Sequence, residues 1–452
     1  MLKGMSVAAT TLGCKVNQAE TDSMLDMLKA AGANIVEFDE KADIYIVNTC
    51  SVTNIADKKS RQMLHRARKM NPDGIVIAAG CYVQSAREIL EQDEAIDIVI
   101  SNNKKKSITE IVNDYINVRN NEKNAPDKDH EAMEYFVDIS RETEYEEMGG
   151  HVPVGHTRAY VKIQDGCNQF CSYCIIPYVR GRIRSRSQEA ILAEVSELAE
   201  AGIKEVVLTG IHISSYGKDK NNEGALIELI EAISKIKGIK RIRLGSLEPG
   251  IITEEFVERI SSNSKVCPHF HLSLQSGCDS VLKRMNRKYT CKQYFEKCDM
   301  LRKAYKSPAL TTDVIVGFPG ETEEEFAETV RYLTELNLYE MHIFKYSPRK
   351  GTVAAAMKEQ VAPEIKNERS DVLLKLAHDN KTAYEAQFEG CELEVLVEEV
   401  VKKDNKTYLR GHTERYMDIL IDVGDISMPE SFVNSFVYVT YTQNGGNLPL
   451  LL

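Results

Sequence analysis

In the first part of the chain, short apolar runs alternate with amphipathic helical patterns. Helical periodicity is clear at 18–31, 54–70 and 84–91, and apolar runs that predict buried strands stand at 6–12, 43–48, 75–79 and 96–100. Alternation of this kind predicts a mostly parallel sheet with helices on its faces, so residues 1–118 are interpreted as a Rossmann-like α/β domain. A further short run at 34–38 is too close in sequence to the next strand to pair with it in parallel.

A second α/β pattern follows a polar stretch. Residues 119–155 are rich in charge and contain few apolar repeats, which predicts a linker or a loosely packed connection. Beyond it, strand patterns separated by helical patterns stand at 158–164, 205–209, 241–244, 269–274, 312–316 and 341–346. Six βα repeats are compatible with a partial TIM-like (β/α)6 barrel over 156–385, whose chemistry is expected at the carboxyl ends of its strands.

The last part of the chain changes pattern again. A long helical pattern at 363–387 leads into short strand patterns at 391–401, 406–411, 416–421 and 432–441. Such a run of short strands predicts a small antiparallel β-barrel over 386–445. Three domains agree with the length of 452 residues.

Composition narrows the class of protein. The chain is 43% hydrophobic and 28% charged, which is ordinary for a soluble globular protein and excludes disorder as the main state. It contains no apolar stretch long enough to span a bilayer and begins without a secretory signal, so we expect a cytoplasmic protein with no membrane partner. Eleven cysteines in such a chain favour metal ligation or catalysis over a disulfide framework.

The charge of the chain restricts contacts with nucleic acid to local patches. A formal net charge of −11 argues against coating of nucleic acid by bulk electrostatics. One candidate patch contains four alternating arginines, which would project to one side of an extended segment and could contact RNA phosphates: Arg180, Arg182, Arg184 and Arg186. A second basic group, on the predicted helix 54–70, is better explained as a solvated face: Lys58, Arg61, His65 and Lys69.

Three cysteines spaced C-x3-C-x2-C follow the first strand of the predicted barrel. From a loop, Cys167, Cys171 and Cys174 can surround one metal centre, which they could not do from a regular helix or strand. Three thiolates suit an iron–sulfur cluster, and a four-iron cubane held by three ligands leaves one iron open for chemistry. Half of a zinc site is the alternative, but no second pair of ligands follows at the expected distance.

A second set of cysteines is spread over the first domain. Cys14, Cys50 and Cys81 each stand at or just past the end of a predicted strand. In a parallel sheet these carboxyl ends share one edge, where ligands of such folds bind. We therefore favour a second three-thiolate cluster over three cysteines that only pack as small buried side chains. Five other cysteines lack metal-ligand spacing and are interpreted as packing residues: Cys267, Cys278, Cys291, Cys298 and Cys391.

The C-x3-C-x2-C motif resembles the cluster loop of radical S-adenosylmethionine enzymes. Its wider context, Gln164-Asp165-Gly166-Cys167 and Arg180-Gly181-Arg182, is similar to the methylthiotransferases of that superfamily. The resemblance implies S-adenosylmethionine and two [4Fe-4S] clusters as cofactors. It makes six cysteines the metal-binding and catalytic residues, with Cys167, Cys171 and Cys174 on the S-adenosylmethionine cluster and Cys14, Cys50 and Cys81 on an auxiliary cluster.

The same resemblance places S-adenosylmethionine at the turns that follow the barrel strands. Each turn is a weak signal by itself, because strand-to-helix connections favour Gly, Ser and Pro for conformational reasons alone. In the family these turns contact the cofactor, which assigns Tyr173 to its adenine and the following residues to the rest of it: Thr209, Gly210, Ser273, Gln275 and Gly317. Arg287 is a family-like position whose charge could meet a carboxylate, and Glu248 is either a ligand contact or a helix cap.

The resemblance also implies a reaction. Replacement of an unactivated aromatic C–H bond by a C–S bond is beyond ordinary acid–base side chains and requires a radical cofactor. In this family a 5′-deoxyadenosyl radical abstracts the hydrogen from C2 of an adenine, and the auxiliary cluster carries the sulfur, methylated by a second S-adenosylmethionine. The implied partners are the tRNA anticodon stem-loop, whose unpaired bases enter a pocket at low cost, and an electron donor such as flavodoxin or ferredoxin.

Residues 13–18 refine the expected substrate. Their sequence, Gly-Cys-Lys-Val-Asn-Gln, resembles the branch that acts on N6-threonylcarbamoyladenosine at position 37, next to the anticodon. The isopentenyladenosine branch usually has Gln-Met-Asn after the cysteine, and the branch that modifies a ribosomal-protein aspartate usually has Pro-Lys-Asn. A non-catalytic iron–sulfur protein that binds RNA or senses redox state is an alternative of a different class, although such a protein would not need the cofactor turns.

Residues 411–416 suggest a role for the last domain. Their sequence, Gly-His-Thr-Glu-Arg-Tyr, resembles the TRAM domain, an OB-like RNA-binding module, although that family more often has Asn where Arg415 stands. A plain stabilising barrel is the alternative, because small barrels serve many functions.

Overall fold

The structure, a computed structural model, describes residues 2–122, 132–149, 157–404, 406–424, 428–443 and 445–447. The first domain contains one sheet with the strands β1 Ser6–Thr11, β2 Asn34–Val36, β3 Ile44–Thr49, β4 Ile75–Gly80, β5 Ile98–Ile100 and β6 Met133–Tyr135. Its helices are α1 Lys15–Ala30, α2 Asn54–Met70, α3 Cys81–Ser85, α4 Arg87–Glu91 and α5 Ile108–Glu122. The strand order is β2-β1-β3-β4-β5-β6, and every neighbouring pair is parallel.

Burial on both faces explains the apolar runs of this sheet. Every residue of β3 and β4 is buried. Alternate side chains of β3 enter opposite cores, with Ile44 packed in the same core as Met24 and Tyr45 packed in the same core as Leu64. A strand covered by helices on both faces has no solvent side, so its sequence is apolar almost throughout. The predicted parallel α/β domain is confirmed.

The stretch expected to be a linker contributes to this fold. Residues 123–131 and 150–156 lie outside the described part of the chain. Within 132–149, β6 pairs with β5 at the edge of the sheet, Ile139 is buried, and the Tyr145 hydroxyl donates to the Lys162 carbonyl at 3.0 Å. The described part of this stretch is therefore packed. Backbone pairing and polar contacts hold it, so the stretch shows no apolar periodicity that would reveal its structure.

The central domain is a curved wall of six parallel strands with helices outside it. The six parallel strands are β7 Arg158–Asp165, β9 Glu205–Gly210, β10 Arg241–Leu244, β11 His269–His271, β12 Ala309–Val316 and β13 Glu340–Lys345. The short strand β8 Arg184–Ser185 pairs antiparallel with β7. The helices of this domain are α6 Ile176–Val179, α7 Gln188–Glu200, α8 Ala225–Ser234, α9 Glu254–Ser261, α10 Asp279–Arg284, α11 Cys291–Ala304 and α12 Glu323–Leu336. The parallel groups β10-β9-β7 and β11-β12-β13 are joined by parallel bridges from Ile242 to Val266 and from Leu247 to Leu272. The predicted partial (β/α)6 barrel is confirmed.

Alternation along the barrel strands separates the core from the barrel interior. Phe270 and Leu272 lie in the core beneath the helices, as do Leu310 and Val314 on the next strand. Positions between them, such as His271, therefore face the interior of the barrel. Polar residues on that face are available to a ligand, whereas the apolar residues hold the wall together.

The chain ends in a helix and a small closed barrel. The elements are α13 Pro363–Ala386, β14 Glu392–Lys403, β15 Lys406–Thr413, β16 Asp418–Asp422, β17 Phe436–Thr442 and β18 Gly445–Asn447. The strand order is β14-β15-β16-β18-β17, and all pairs are antiparallel except the parallel pair of β16 and β18. Val395, Leu409 and Ile421 are buried inside this barrel. The predicted small β-barrel is confirmed.

Buried arginines join the three domains. Arg241 donates to the carbonyls of His412 and Glu394, each at 3.0 Å, and so connects the central wall to the last barrel. Arg349 donates to the Ser51 hydroxyl at 2.8 Å and thereby joins the central domain to the first sheet. None of the helices in the described ranges is both long and apolar enough to cross a membrane.

Candidate active site

The three cysteines of the C-x3-C-x2-C motif lie on the loop between β7 and α6. Cys167 is buried and the other two are half-buried. The Gln169 backbone N–H donates to Cys167 Sγ at 3.4 Å. Phe170 has a φ of 48°, a left-handed conformation that is rare for a bulky residue and that reverses the loop between the first two cysteines. The loop therefore surrounds a common point instead of extending away from the strand.

The three thiols influence one another's ionisation. Burial raises the pKa of Cys167 to about 11 and that of Cys174 to about 12, because a thiolate is poorly solvated there. In both cases the charge of Cys171 raises the pKa further. Thiols that oppose each other's ionisation become thiolates readily only beside a cation, so the set fits an iron–sulfur cluster.

Gly166 lets the cysteine loop leave its strand. It has a φ of +71°, and a Cβ atom at this position would lie 1.8 Å from the Arg182 carbonyl oxygen. Only glycine is compatible with both the backbone conformation and this close approach. The next residue, Cys167, donates its backbone N–H to the Gly181 carbonyl at 3.0 Å. The segment after α6 thus fixes the start of the loop.

Arg287 connects the cysteine loop to the strand ends beside it. Its guanidinium donates to Cys171 Sγ at 3.3 Å, to Glu248 Oε2 at 3.0 Å and to the Ser273 carbonyl at 3.0 Å. Desolvation raises the pKa of Glu248, but the hydrogen bonds and charges of His212 and Arg287 outweigh it and leave the pKa below its usual value. Arg287 therefore has a carboxylate partner within the protein, while its contact with the cofactor stays a prediction. Glu248 makes no side-chain cap of the turn that follows it.

The other positions assigned to S-adenosylmethionine lie at the same end of the barrel. Thr209 and Gly210 end β9, Ser273 and Gln275 follow β11, and Gly317 follows β12. Tyr173 packs against the buried cluster that contains Phe318. Gln275 has a φ of 78°, a conformation that turns the backbone away from the strand direction. The structure brings these residues round the cysteine loop, and their contacts with the cofactor stay a prediction.

Cys14, Cys50 and Cys81 converge at the carboxyl edge of the first sheet. They follow β1, β3 and β4, which are neighbours in the sheet. Burial raises the pKa of Cys50 to about 11, and the charges of Cys81 and Cys14 raise it further. Desolvation by the surrounding protein raises the pKa of Cys14, although its side chain keeps exposed surface. Three thiols that influence one another's ionisation suit a second iron–sulfur cluster for the same reason as the first set.

Gly13 allows the turn after β1 to approach Cys50. It has a φ of +108°, and a Cβ atom there would lie 2.8 Å from both Cβ and Sγ of Cys50. The Asn17 side chain donates to the carbonyls of Leu12 at 2.8 Å and Thr49 at 2.9 Å. These bonds hold the turns after β1 and β3 together, so the positions of Cys14 and Cys50 are coupled.

Arg180 connects the two sets of cysteines. It follows α6, directly after the loop that carries the first set, and it is fully buried. Its Nε donates to Cys81 Sγ at 3.2 Å. Its terminal nitrogens donate to Asn17 Oδ1 and to Glu20 Oε1, both at 2.5 Å. One side chain from the barrel domain is thus bonded directly to a cysteine of the first domain.

A buried ionic network surrounds Arg180. Glu20 accepts from Lys162 Nζ at 2.7 Å and also pairs with Lys105. Lys162 bonds in addition to Asp165 at 2.6 Å. Desolvation raises the pKa of Glu20, but Arg180 and the two lysines outweigh it and hold the pKa well below its usual value. Sequence reasoning missed this network because its members come from distant segments and share no spacing.

The expectation that four arginines line one exposed wall is wrong for three of them. Arg180, Arg184 and Arg186 are buried, and Arg182 alone among the four is exposed. Arg184 donates to the Arg180 carbonyl at 2.9 Å, and Arg186 donates to Glu147 at 2.8 Å. Buried guanidinium groups persist only with such partners. The partners stand elsewhere in the chain, so the alternating pattern alone could not reveal the burial.

Two other groups of residues can now be placed. The basic residues of α2 are exposed, in agreement with a solvated face: Lys58, Arg61, His65 and Lys69. Of the five cysteines interpreted as packing residues, Cys267, Cys278 and Cys298 are buried and Cys291 is half-buried, but Cys391 is exposed. The packing interpretation therefore does not apply to Cys391.

A cavity of about 680 Å³ lies between the first domain and the barrel wall. Its lining includes Cys14, Lys15 at the start of α1, Arg158 and Tyr160 of β7, and Glu398 of β14. Cys14 and Lys15 keep surface that is open to this space. A ligand in the cavity would therefore meet the second set of cysteines at Cys14. Sequence reasoning noted Lys15 only as part of a motif.

A polar patch on the barrel interior was also missed. The ligand atoms of His271, Asp313 and His342 all lie within 4.8 Å of one another. His271 Nε2 is 3.3 Å from Asp313 Oδ2, and its Nδ1 is 3.0 Å from the Thr311 hydroxyl. The three residues come from β11, β12 and β13, so no sequence spacing connects them. Only His269 and His271, two positions apart on one strand and therefore on the same face, could have indicated an interior polar face.

Comparison with known proteins identifies the family. Residues 161–333 match the model of the Radical SAM superfamily, and residues 6–101 match that of the uncharacterized protein family UPF0004. The chain is 40% identical over 416 residues to the threonylcarbamoyladenosine tRNA methylthiotransferase MtaB of Bacillus subtilis (strain 168), which covers 92% of this chain and 90% of the relative. The chain belongs to the radical S-adenosylmethionine methylthiotransferase family.

Other relatives of this methylthiotransferase are named for a different substrate. This chain is 35% identical over 443 residues to the tRNA-2-methylthio-N(6)-dimethylallyladenosine synthase of Thermoanaerobacter pseudethanolicus. The match spans 96% of this chain and 90% of that relative. Among solved structures, the radical S-adenosylmethionine methyltransferase TsrM from Kitasatospora setae superposes with a TM-score of 0.56 at 15% identity, covering 76% of this chain and 77% of that one. At this identity the likeness concerns the fold alone.

Membership of the family identifies the cofactors. The enzyme uses S-adenosylmethionine and [4Fe-4S] clusters, which confirms the predicted cofactors. The structure offers ligands that fit them, because two sets of three thiols converge at the carboxyl ends of parallel strands and buried arginines donate to Cys171 and Cys81. Donors at cluster sulfurs stabilise the negative charge that such ligands carry.

Proposed function

We propose that this methylthiotransferase converts N6-threonylcarbamoyladenosine at position 37 of tRNA, next to the anticodon, to its 2-methylthio derivative. The relative named for threonylcarbamoyladenosine from Bacillus subtilis is 40% identical, against 35% for the dimethylallyladenosine synthase from Thermoanaerobacter pseudethanolicus. This margin is small, and the motif around Lys15 supports the same branch. The overall identity and the motif therefore support the same branch.

The six motif cysteines carry the cofactors in this proposal. Cys167, Cys171 and Cys174 hold the cluster that binds S-adenosylmethionine, and Cys14, Cys50 and Cys81 hold the auxiliary cluster. When bound, these groups supply the radical that removes the hydrogen from C2 of the adenine, the sulfur atom and the methyl group.

The protein's own residues position these sets. Arg287 holds Cys171 against Glu248 and the end of β11, while Arg180 holds Cys81 and pairs with Glu20. Because Arg180 belongs to the segment that follows the first cysteine loop, the two sets are fixed relative to each other. A fixed separation suits a reaction in which one base must reach both.

The cavity beside Cys14 is the observation that carries the proposal. It opens onto Cys14 of the auxiliary set, and its lining also includes Tyr160 and Lys162 of β7. The loop after β7 bears the other three cysteines. A flipped-out base in this space would meet the auxiliary set at Cys14, beside the strand that leads to the other set.

We infer that the anticodon stem-loop lies across Arg182 and the last barrel. Arg182 is the exposed member of the arginine run, and its guanidinium carbon lies 4.5 Å from the centre of the Phe170 ring on the cysteine loop. The small closed barrel is consistent with a TRAM-type RNA-binding module. An electron donor such as flavodoxin or ferredoxin would be a further partner.

The test is mass spectrometry of nucleosides from total tRNA. Cells that lack the protein are complemented with the intact gene, with a Cys14→Ala copy or with a Cys391→Ala copy as the matched control, because Cys391 is exposed and belongs to neither set. We expect 2-methylthio-N6-threonylcarbamoyladenosine to disappear in the deletion strain. The intact gene and the Cys391→Ala copy should restore it, and the Cys14→Ala copy should not.

Three outcomes would contradict parts of this proposal. If the threonylcarbamoyl product persists while the 2-methylthio-isopentenyl nucleoside disappears, the substrate is wrong but the chemistry stands. If neither nucleoside changes, tRNA is not the substrate. If Cys14→Ala restores the product fully, Cys14 is not a ligand that the reaction needs.

A further inference from the structure

Three parts of the chain meet round the ring of Tyr416, beside the cavity. Lys15 Nζ lies 5.8 Å from the centres of both the Tyr416 and the Tyr160 rings. The guanidinium carbons of Arg158 and Arg243 lie 5.0 Å and 4.7 Å from the Tyr416 ring centre. Tyr416 has a φ of 65°, which is unusual for a bulky residue and occurs where surrounding structure enforces it. Three cations and two phenol rings thus occupy one region.

Two of these cations have donors to spare. Arg243 is committed, because it pairs with Glu205 at 2.8 Å and donates to the Thr413 carbonyl at 3.2 Å. Arg158 donates from Nη2 to Glu398 at 3.1 Å, but its buried Nη1 has no hydrogen-bond partner within the described ranges. The ammonium of Lys15 forms no hydrogen bond or ion pair with any residue that the structure describes.

The acidic residues of the cavity leave Lys15 and one nitrogen of Arg158 without a partner among the described residues. Every carboxylate in the lining accepts from a group of the protein other than Lys15. Glu20 belongs to the network round Arg180, Glu194 pairs with Arg186, and Glu398 is shared between Arg158 and His412. The groups that remain for a ligand at this end of the cavity are cationic, which selects an anion.

We propose that Lys15 and Arg158 bind the carboxylate of the threonylcarbamoyl group and thereby select the N6 substituent of the substrate. This inference rests on the proposed function. The substituent and the reacting C2 atom belong to the same ring of the base, and Lys15 directly follows Cys14, so a base placed for reaction at the auxiliary set brings its N6 group towards Lys15.

The same geometry disfavours the uncharged alternative. An isopentenyl group would cover the Lys15 ammonium and offer no acceptor to the buried Arg158 nitrogen, and cations without partners in a desolvated site are costly.

The experiment compares an acid with its ester. Anticodon stem-loops carry either N6-threonylcarbamoyladenosine or its methyl ester at position 37, and cluster-loaded enzyme is titrated against each by fluorescence anisotropy. We expect the intact enzyme to bind the acid at least about tenfold more tightly than the ester, since a hydrogen bond between charged groups is worth about one to two powers of ten in affinity. Lys15→Gln should weaken binding of the acid about 10- to 100-fold and binding of the ester less than about threefold.

Control variants separate this role from effects on folding. Lys29→Gln removes an exposed lysine from the other end of the same helix and should leave both affinities unchanged. Lys15→Arg should retain most of the preference for the acid. Arg158→Gln, measured as a second variant, should reduce the acid preference while iron content stays at the level of the intact enzyme.

The outcomes distinguish this inference from the proposed function. If the intact enzyme binds and converts acid and ester equally, the carboxylate site is wrong while the substrate assignment stands. If Lys15→Gln weakens both ligands by the same factor, Lys15 contacts an RNA phosphate instead, which also overturns the inference. If the intact enzyme prefers the acid but forms product from neither, the proposed function fails and the binding site remains.

Discussion

At the scale of single residues, the sequence reveals a functional residue when its role follows from spacing or from its place after a strand, but not when its role depends on distant buried partners. Of the six cysteines proposed as cluster ligands, three could be selected from their C-x3-C-x2-C spacing and three because each stands at the end of a predicted strand. Arg180 could not, because its role depends on Glu20 and Cys81, which belong to another domain. An arginine that ends in solvent and one that ends in a buried network have the same sequence pattern, and only the positions of distant partners distinguish them.

Arg180→Gln should destabilise the protein strongly. The change removes a buried charge from Glu20 and a donor from Cys81, and loss of one partner from a buried ion pair costs about 3–5 kcal/mol. We expect the lower half of this range, because Lys105 and Lys162 still neutralise Glu20. Urea unfolding of the cluster-free protein measures the change. Cluster binding should also suffer at the auxiliary set, which iron analysis and electron paramagnetic resonance would show.

Arg182→Gln is the matched control for this prediction. Arg182 is exposed and contacts the Phe170 ring, an interaction worth about 1 kcal/mol or less at such a site. The stability of the Arg182→Gln protein should therefore stay close to that of the intact protein, while its affinity for RNA falls. Equal stability of the two variants would show that the network round Arg180 contributes little.

At the scale of elements, the parallel sheet explains why the cysteines could be grouped in advance. Strands of one parallel sheet end at the same edge, so residues that follow different strands converge whatever their separation in sequence. The order of the strands decides whether they are neighbours, and the sequence left that order open. The structure places β1, β3 and β4 side by side, which brings Cys14, Cys50 and Cys81 together. The strand β6 escaped prediction because it is short and only half-buried.

Gly13→Ala should disturb the auxiliary set without affecting the first one. A Cβ atom at Gly13 would lie 2.8 Å from Cys50 Sγ, and the left-handed backbone adds about 1–2 kcal/mol of strain for a residue with a side chain. The turn that carries Cys14 must then move away from Cys50. We expect about half of the iron and sulfide to be lost after reconstitution, while the Cys167 set still cleaves S-adenosylmethionine.

Gly4→Ala separates crowding from backbone strain. Gly4 has a φ of +87° in the same domain, but nothing lies within 4 Å of the position of its Cβ atom. This variant should have the same backbone cost and keep its full iron content. Equal iron loss in the two variants would mean that strain, and not the approach to Cys50, explains the effect.

At the scale of the whole molecule, the domains could be predicted but their arrangement could not. Changes of periodicity at residues 119–155 and near 390 marked three regions of different architecture. Nothing in those patterns indicated that Lys15, Arg158 and Tyr416, one from each region, meet beside one cavity. Contacts between domains depend on a few buried polar side chains, which have no periodicity to recognise.

Arg241→Gln should loosen the last barrel from the central wall. Arg241 is buried and donates to the His412 carbonyl and to Glu394, so the change leaves acceptors at this interface without a donor, at a cost of about 2–4 kcal/mol. Hydrogen exchange should increase in β14 and β15 and round Tyr416 while the first sheet stays protected, because the lost bonds connect only the central domain and the last barrel.

Arg410→Gln is the control, since Arg410 pairs with Asp418 and Glu399 on the surface of the barrel and its loss should cost about 0.5 kcal/mol. If the proposed carboxylate site is correct, Arg241→Gln should also reduce the preference for the acid over the ester, because loosening of Tyr416 displaces the ring against which Lys15 and Arg158 lie. Unchanged exchange together with an unchanged preference would show that the barrel is held in place by apolar contacts instead.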